Sequence, residues 1–198
     1  MSKTKIPRLE VGPGALLLFA LLIYFSAPGE AGAVLLPVLA HELGHLAAMR
    51  FYAIPVRRLR LELSGLRIDC AAGADLSEEV ALALAGPTAG LLYAAAAEWL
   101  GRSLGWEAAR LSGSVSLLLS LFNLLPLPPL DGGRIFSALA AARLGGEDGG
   151  RLTRAVGWIG AALVALAGIF LWLRGSGAAL AAAGGFLLTG QLRAAIQD

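Results

Sequence analysis

Six apolar stretches, over residues 15–25, 31–49, 80–100, 111–125, 156–173 and 177–192, fill most of the 198-residue sequence and leave few options for its fold. A helix rises about 1.5 Å per residue, so the longer stretches match the roughly 30 Å hydrocarbon thickness of a bilayer. Lipid offers the backbone no hydrogen-bond partner, so apolar runs of this kind must satisfy themselves as helices. With 57% hydrophobic and 15% charged residues, the chain has no room for a long soluble domain beside them. The fold expected is an all-α polytopic membrane protein of about six transmembrane helices. A formal charge of +2 gives no reason to expect nucleic acid, and the single cysteine, Cys70, forms no intrachain disulfide.

Between the second and third stretches the period changes from helical to alternating. Leu59, Leu61 and Leu63 alternate with Arg58, Arg60 and Glu62, and after Ser64-Gly65 the residues Leu66, Ile68 and Cys70 alternate with Arg67 and Asp69. This predicts a small amphipathic β-hairpin at the membrane surface. Either its open edge pairs with an extended substrate segment, or it is a connector that covers one end of the bundle. At the N-terminus, Lys3, Lys5 and Arg8 precede a short apolar run, which reads as a retained span or as a signal peptide ending near Ala31-Gly32-Ala33. Ser77-Glu78-Glu79 predicts a helix start, Gly86-Pro87 an interruption of the third span, and residues 145–150 a flexible polar linker.

Within the second stretch lies His41-Glu42-Leu43-Gly44-His45, which contains both histidines of the chain. On a helix, positions four apart share a face, so the two imidazoles can reach one ion while Glu42 reaches a water held by it. This is the H-E-x-x-H arrangement of zinc hydrolases. Such a site needs a third protein ligand. The fourth stretch runs into Asn123-Leu-Leu-Pro126-Leu-Pro128-Pro129-Leu-Asp131-Gly132-Gly133, where three prolines in four positions forbid a regular helix. Asp131 is the best-placed remaining carboxylate; the plain alternative is an Asp capping the next helix.

The pair of motifs, His41 to His45 and then Asn123-Leu-Leu-Pro126 with Leu130-Asp131-Gly132-Gly133, resembles the site-two protease family of intramembrane zinc metalloproteases. The resemblance implies one zinc ion on His41, His45 and Asp131, with Glu42 as general base and Asn123 as a catalytic, substrate-positioning or oxyanion-stabilising group. Pro126, Gly86 and Pro87 are the substrate-side positions it suggests. Many members have an Asn three residues after that Pro, where this chain has Gly90, and Thr88 is the substitute to consider. The minimal six-span branch is the nearest in kind, with one domain over residues 1–198 and neither a PDZ nor a CBS domain. That branch implies a membrane-protein substrate, of anti-sigma or pro-sigma type for instance, and a regulatory membrane partner.

With the N-terminus in the cytoplasm, all of the 16 lysines and arginines except Arg102, Arg110 and Arg174 fall in inside segments. The positive-inside rule therefore predicts a multi-pass protein of a bacterial cell membrane with both termini cytoplasmic. In that orientation the His41–His45 motif and Asp131 end their spans on the same side. Two other readings use the same residues: a membrane metal-binding or transport protein, and an inactive relative that binds membrane proteins. The scarcity of other intramembrane ionisable groups opposes the first, and the presence of Glu42 opposes the second.

Overall fold

The computed structural model describes residues 8–11, 30–54, 56–62, 65–70 and 75–197. Among them are six helices: α1 (Glu30–Phe51), α2 (Leu76–Leu104), α3 (Glu107–Asn123), α4 (Asp131–Leu144), α5 (Gly146–Leu173) and α6 (Ala178–Gln197). Four, namely α1, α2, α5 and α6, are long and apolar enough to cross a membrane. The fourth expected span forms α3, whose 17 residues rise only about 26 Å, short of the hydrocarbon thickness. The first expected span, residues 15–25, lies outside the described residues. Large apolar side chains stand exposed along these helices, among them Leu43 at 60%, Leu92 at 69% and Leu163 at 61%, a surface suited to lipid and not to water.

Three strands, β1 (Arg8–Val11), β2 (Val56–Glu62) and β3 (Gly65–Cys70), form a sheet in the order β1-β2-β3. β2 and β3 pair antiparallel, with Leu59 opposite Ile68 and Glu62 opposite Gly65. β1 lies parallel to β2, Arg8 opposite Arg58, a partner that the charged N-terminal segment does not announce.

Three local expectations need correction. The cap of α2 is Asp75 and not Ser77: the Asp75 carboxylate accepts from the Ser77 N–H, and Glu78 accepts from the Asp75 N–H at 3.2 Å. Gly86-Pro87 does not interrupt the helix, because α2 runs unbroken through both residues. Residues 146–150 are the first turns of α5 and not a linker. Glu147 and Asp148 suit the positive end of that helix, Arg151 pairs with Glu147 at 2.7 Å, and Gly149 packs closely on the backbone of Ala140 and Ala141. Those gains offset the low helix propensity of glycine.

The chain divides into two compact units, Met1–Glu78 with Ala85–Ser120, and Glu79–Leu84 with Leu121–Asp198. In the first, hydroxyl groups join α2 to α3: Tyr93 and Ser112 share a 2.8 Å hydrogen bond, and the Ser116 hydroxyl donates to the Gly90 carbonyl at 2.8 Å. In the second, the core is Leu127, Leu130, Ala161 and Leu187, flanked by Phe122, Leu125, Val156, Val164 and Leu188.

Candidate metal centre

The buried residues of α1 are Ala33, Pro37, His41, His45 and Met49, one at every fourth position. Such a stripe faces protein, while Leu36, Leu39 and Leu43 on other faces are more than half exposed. His41 and His45, 5% and 6% exposed, turn their Nε2 atoms towards each other at 3.2 Å, with rings crossed at 78°. Two nitrogens bound tetrahedrally at zinc distances would stand about 3.3 Å apart, so the observed spacing fits a shared ion. Room for this comes from two glycines. A Cβ on Gly86 would overlap the His45 imidazole, and a Cβ on Gly44 would overlap the Ala85 carbonyl and the Ala89 side chain. Pro87 is fully buried beside Gly86.

Asp131 is placed by different means. Pro126, Pro128 and Pro129 have no N–H to give, so the segment after Asn123 cannot continue α3. It closes on itself instead, Leu127 donating to the Leu125 carbonyl at 2.7 Å and Leu130 to the Leu127 carbonyl at 2.8 Å. Leu127 and Leu130 anchor it in the core, and Gly160 on α5 leaves the space that Leu127 fills. Gly132 and Gly133, in the first turn of α4, lie so close to the backbone of Leu124, Leu125, Leu127 and Pro128 that neither tolerates a Cβ. From α6, buried Gln191 donates its amide to the Pro128 carbonyl at 2.8 Å. Leu130 occupies the cap position and makes no side-chain cap, so Asp131 is the first residue of the helix and not its cap. Asp131 is 8% exposed, with Arg134 3.9 Å from its carboxylate.

His41, His45 and Asp131 each offer one ligand atom, and the three atoms lie within 4.8 Å of one another. Two imidazoles and a carboxylate suit zinc with a position left over for water. Glu42, adjacent in sequence to His41, is half-buried, as is Asn123 at the end of α3, while Pro126 is exposed. Thr88 is exposed two residues from buried Gly90, on another side of α2, and does not replace the missing Asn. The hydroxyl at that position belongs to Ser120 of α3, whose Oγ lies where a Gly90 side chain would begin. Ser120 and Gln191 were not singled out from the sequence. The available signal was polarity: each is an uncharged polar residue inside an apolar run.

Residues 103–167 match the family model described as Peptidase family M50. A zinc metalloprotease of Synechocystis, sll0528, is 28% identical over 174 residues, covering 82% of this chain and 43% of that protein. The zinc metalloprotease Rip3 of Mycobacterium tuberculosis is 34% identical over 145 residues, 67% of this chain and 36% of its own. Stage IV sporulation protein FB of Bacillus subtilis is 32% identical over 123 residues, 60% of this chain and 43% of its own. The chain thus spans less than half the length of these curated relatives. In fold it is similar to the site-2 protease from Methanocaldococcus jannaschii, with a TM-score of 0.72 and 20% identity over 98% of this chain and 93% of that one.

Proposed function

Because the chain belongs to the M50, or site-2 protease, family, we propose that it is an intramembrane zinc metalloprotease acting on a membrane-protein substrate near the cytoplasmic face. The observation that carries this reading is the meeting of His41, His45 and Asp131. His41, His45 and Asp131 would hold a zinc ion, which when bound would supply Lewis acidity to the attacking water and to the scissile carbonyl. Glu42 takes the proton from the attacking water and returns it to the departing amide nitrogen, so that water adds across the peptide bond with no net proton change. The Asn123 amide donates to the substrate backbone at or beside the carbonyl oxygen. A helical substrate must first unwind, since its carbonyls are already hydrogen-bonded. Exposed Pro126 is the position open to an extended substrate segment, whereas Gly86, which packs on His45, and Pro87 are buried and would bear on a substrate only through that packing.

The wider setting follows from the same reading. The distribution of lysine and arginine supports a multi-pass arrangement with both termini in the cytoplasm and the β2–β3 pair at that membrane surface. A single protease domain releasing an anti-sigma or pro-sigma type of membrane-associated factor, under a regulatory membrane partner, is the process this would serve; the sporulation protein among its relatives supports that class.

The test uses purified wild type and Glu42→Gln on a panel of tagged single-span peptides, with cleavage and zinc content measured together. Wild type should cut, and the Gln variant should keep its zinc and lose about 10²- to 10⁴-fold in rate, the usual contribution of a general base. Equal cleavage by the two proteins would sink the mechanism.

A further inference from the structure

We infer that Gln191 is a positioning residue for the metal centre: its side-chain amide fixes the proline-rich segment that presents Asp131. The inference rests on the metalloprotease reading above and adds to it a residue on the last described helix.

Four observations on Gln191 converge. It is 4% exposed on α6, a helix otherwise built mainly of Ala, Gly and Leu. A buried amide in such a setting is costly unless its hydrogen bonds are made, and its Nε2 donates to the Pro128 carbonyl at 2.8 Å, across 63 positions of sequence. That carbonyl sits where Pro126, Pro128 and Pro129 have removed three backbone donors, so the segment itself has few N–H groups to offer it. Finally, α5 is cut away for this side chain: a Cβ on Gly157 would lie 2.7 Å from Gln191 Oε1 and 2.8 Å from Nε2.

The apolar anchors Leu127 and Leu130 hold the segment against α5 and α6, but packing of leucines in a membrane interior is weakly directional. A hydrogen bond has a direction. Pro128 lies three residues before Asp131, and Gly133 of the first turn of α4 rests on Leu127 and Pro128. Turning the Pro128 peptide therefore turns the start of α4 and the carboxylate it carries. Partners of this kind, outside the ligand set, typically change metal affinity by about 10- to 100-fold.

The experiment titrates the metal-free full chain in detergent with zinc against a chromophoric chelator, well below each variant's melting temperature. Cobalt(II) absorption is recorded as a measure of coordination geometry. Wild type should bind one ion and Asp131→Asn should lose most of that affinity. Gln191→Leu should weaken zinc by about 10- to 100-fold and alter the cobalt bands. A merely structural role would lower the melting temperature and leave affinity in the folded protein intact. Gly157→Ala, which keeps the glutamine but displaces it, should reproduce much of the loss. The same change made in Gln191→Ala should cost little more, because the two act through one contact. Wild-type zinc affinity and cobalt bands in both Gln191→Leu and Gly157→Ala would overturn the inference while leaving the metal centre standing. Failure of wild type to bind zinc, or equal binding by Asp131→Asn, would instead overturn the metal centre itself and the inference with it.

Discussion

The two histidines and the aspartate arrive at their positions in different ways. His41 and His45 meet because they are four apart on one helix, and their neighbours need only be small: Gly44 in α1 and Gly86 in α2. Asp131 follows a segment with no regular structure, held by leucines in a core, glycines against backbone, and a glutamine 63 positions from the carbonyl it binds. The first arrangement is local and repeats whenever a helix forms. The second depends on several contributors acting together, so damage to it should spread further.

The largest effect should therefore fall on the loop. Gly132→Ala drives a Cβ onto the Leu124 and Leu125 carbonyls, and backbone cannot step aside as a side chain can. Overpacking of this kind costs about 1–3 kcal/mol, and here the upper end is expected. Thermal unfolding in detergent should show a clear fall in melting temperature together with loss of zinc. A Gly132→Ala protein as stable as wild type would mean that the segment is not held as described.

On the histidine side, Gly86→Ala should separate the two properties. The new methyl meets the His45 imidazole, which can turn away about its own bonds, and alanine recovers roughly 0.5–1 kcal/mol of helix propensity. Zinc affinity should drop about tenfold or more, on the scale of a disturbed ligand, with a much smaller change in melting temperature than Gly132→Ala gives. If melting and affinity fell together in both variants, the contrast between a local and a distributed ligand would be lost.

How legible each side was in the sequence follows the same division. The H-E-x-x-H spacing has one helical geometry, so the facing imidazoles could be read directly from it. The three prolines showed that α3 must end and that Asp131 was a candidate ligand, but not what holds the segment. The partners are Gln191, Gly157 and Gly160, and no spacing rule connects those positions to residue 128. Propensity misled in two places for one reason. Gly86-Pro87 and residues 146–150 both look like breaks, yet both are helical, because tertiary contacts on Gly86 and Gly149 reward the close approach that only glycine allows. The β2–β3 alternation was readable as two strands, whereas the parallel β1 partner was hidden in a segment dominated by charge.

Serines of α3 give a finer test of the same idea within one helix pair. Ser116 donates to the Gly90 carbonyl at 2.8 Å, whereas Ser120 Oγ, equally buried, has no hydrogen-bond partner among the described residues. Ser116→Ala should cost about 1 kcal/mol, the net value of one such bond. Ser120→Ala removes a hydroxyl that makes no bond and should be neutral or slightly stabilising. Equal losses would show that the hydroxyls act by filling space alone.

The most local device is the cap of α2, and its pH dependence is the narrowest of these effects. Asp75 is fully exposed, and its carboxyl is held below its ordinary value of 3.8, first by the backbone N–H of Ser77 and then by the Ser77 hydroxyl. A folded-state pKa lowered in this way contributes stability that is fully present above the unfolded value and is lost as pH falls through the folded value. The melting difference between wild type and Asp75→Ala should therefore be constant near neutrality and shrink only on acidification below about pH 4. Asp75→Asn keeps a cap oxygen without the charge, so its difference from Asp75→Ala should not change over that range. A difference between wild type and Asp75→Ala that stays constant through the acid range would assign the cap to hydrogen bonding alone, with no part for the charge at the helix N-terminus.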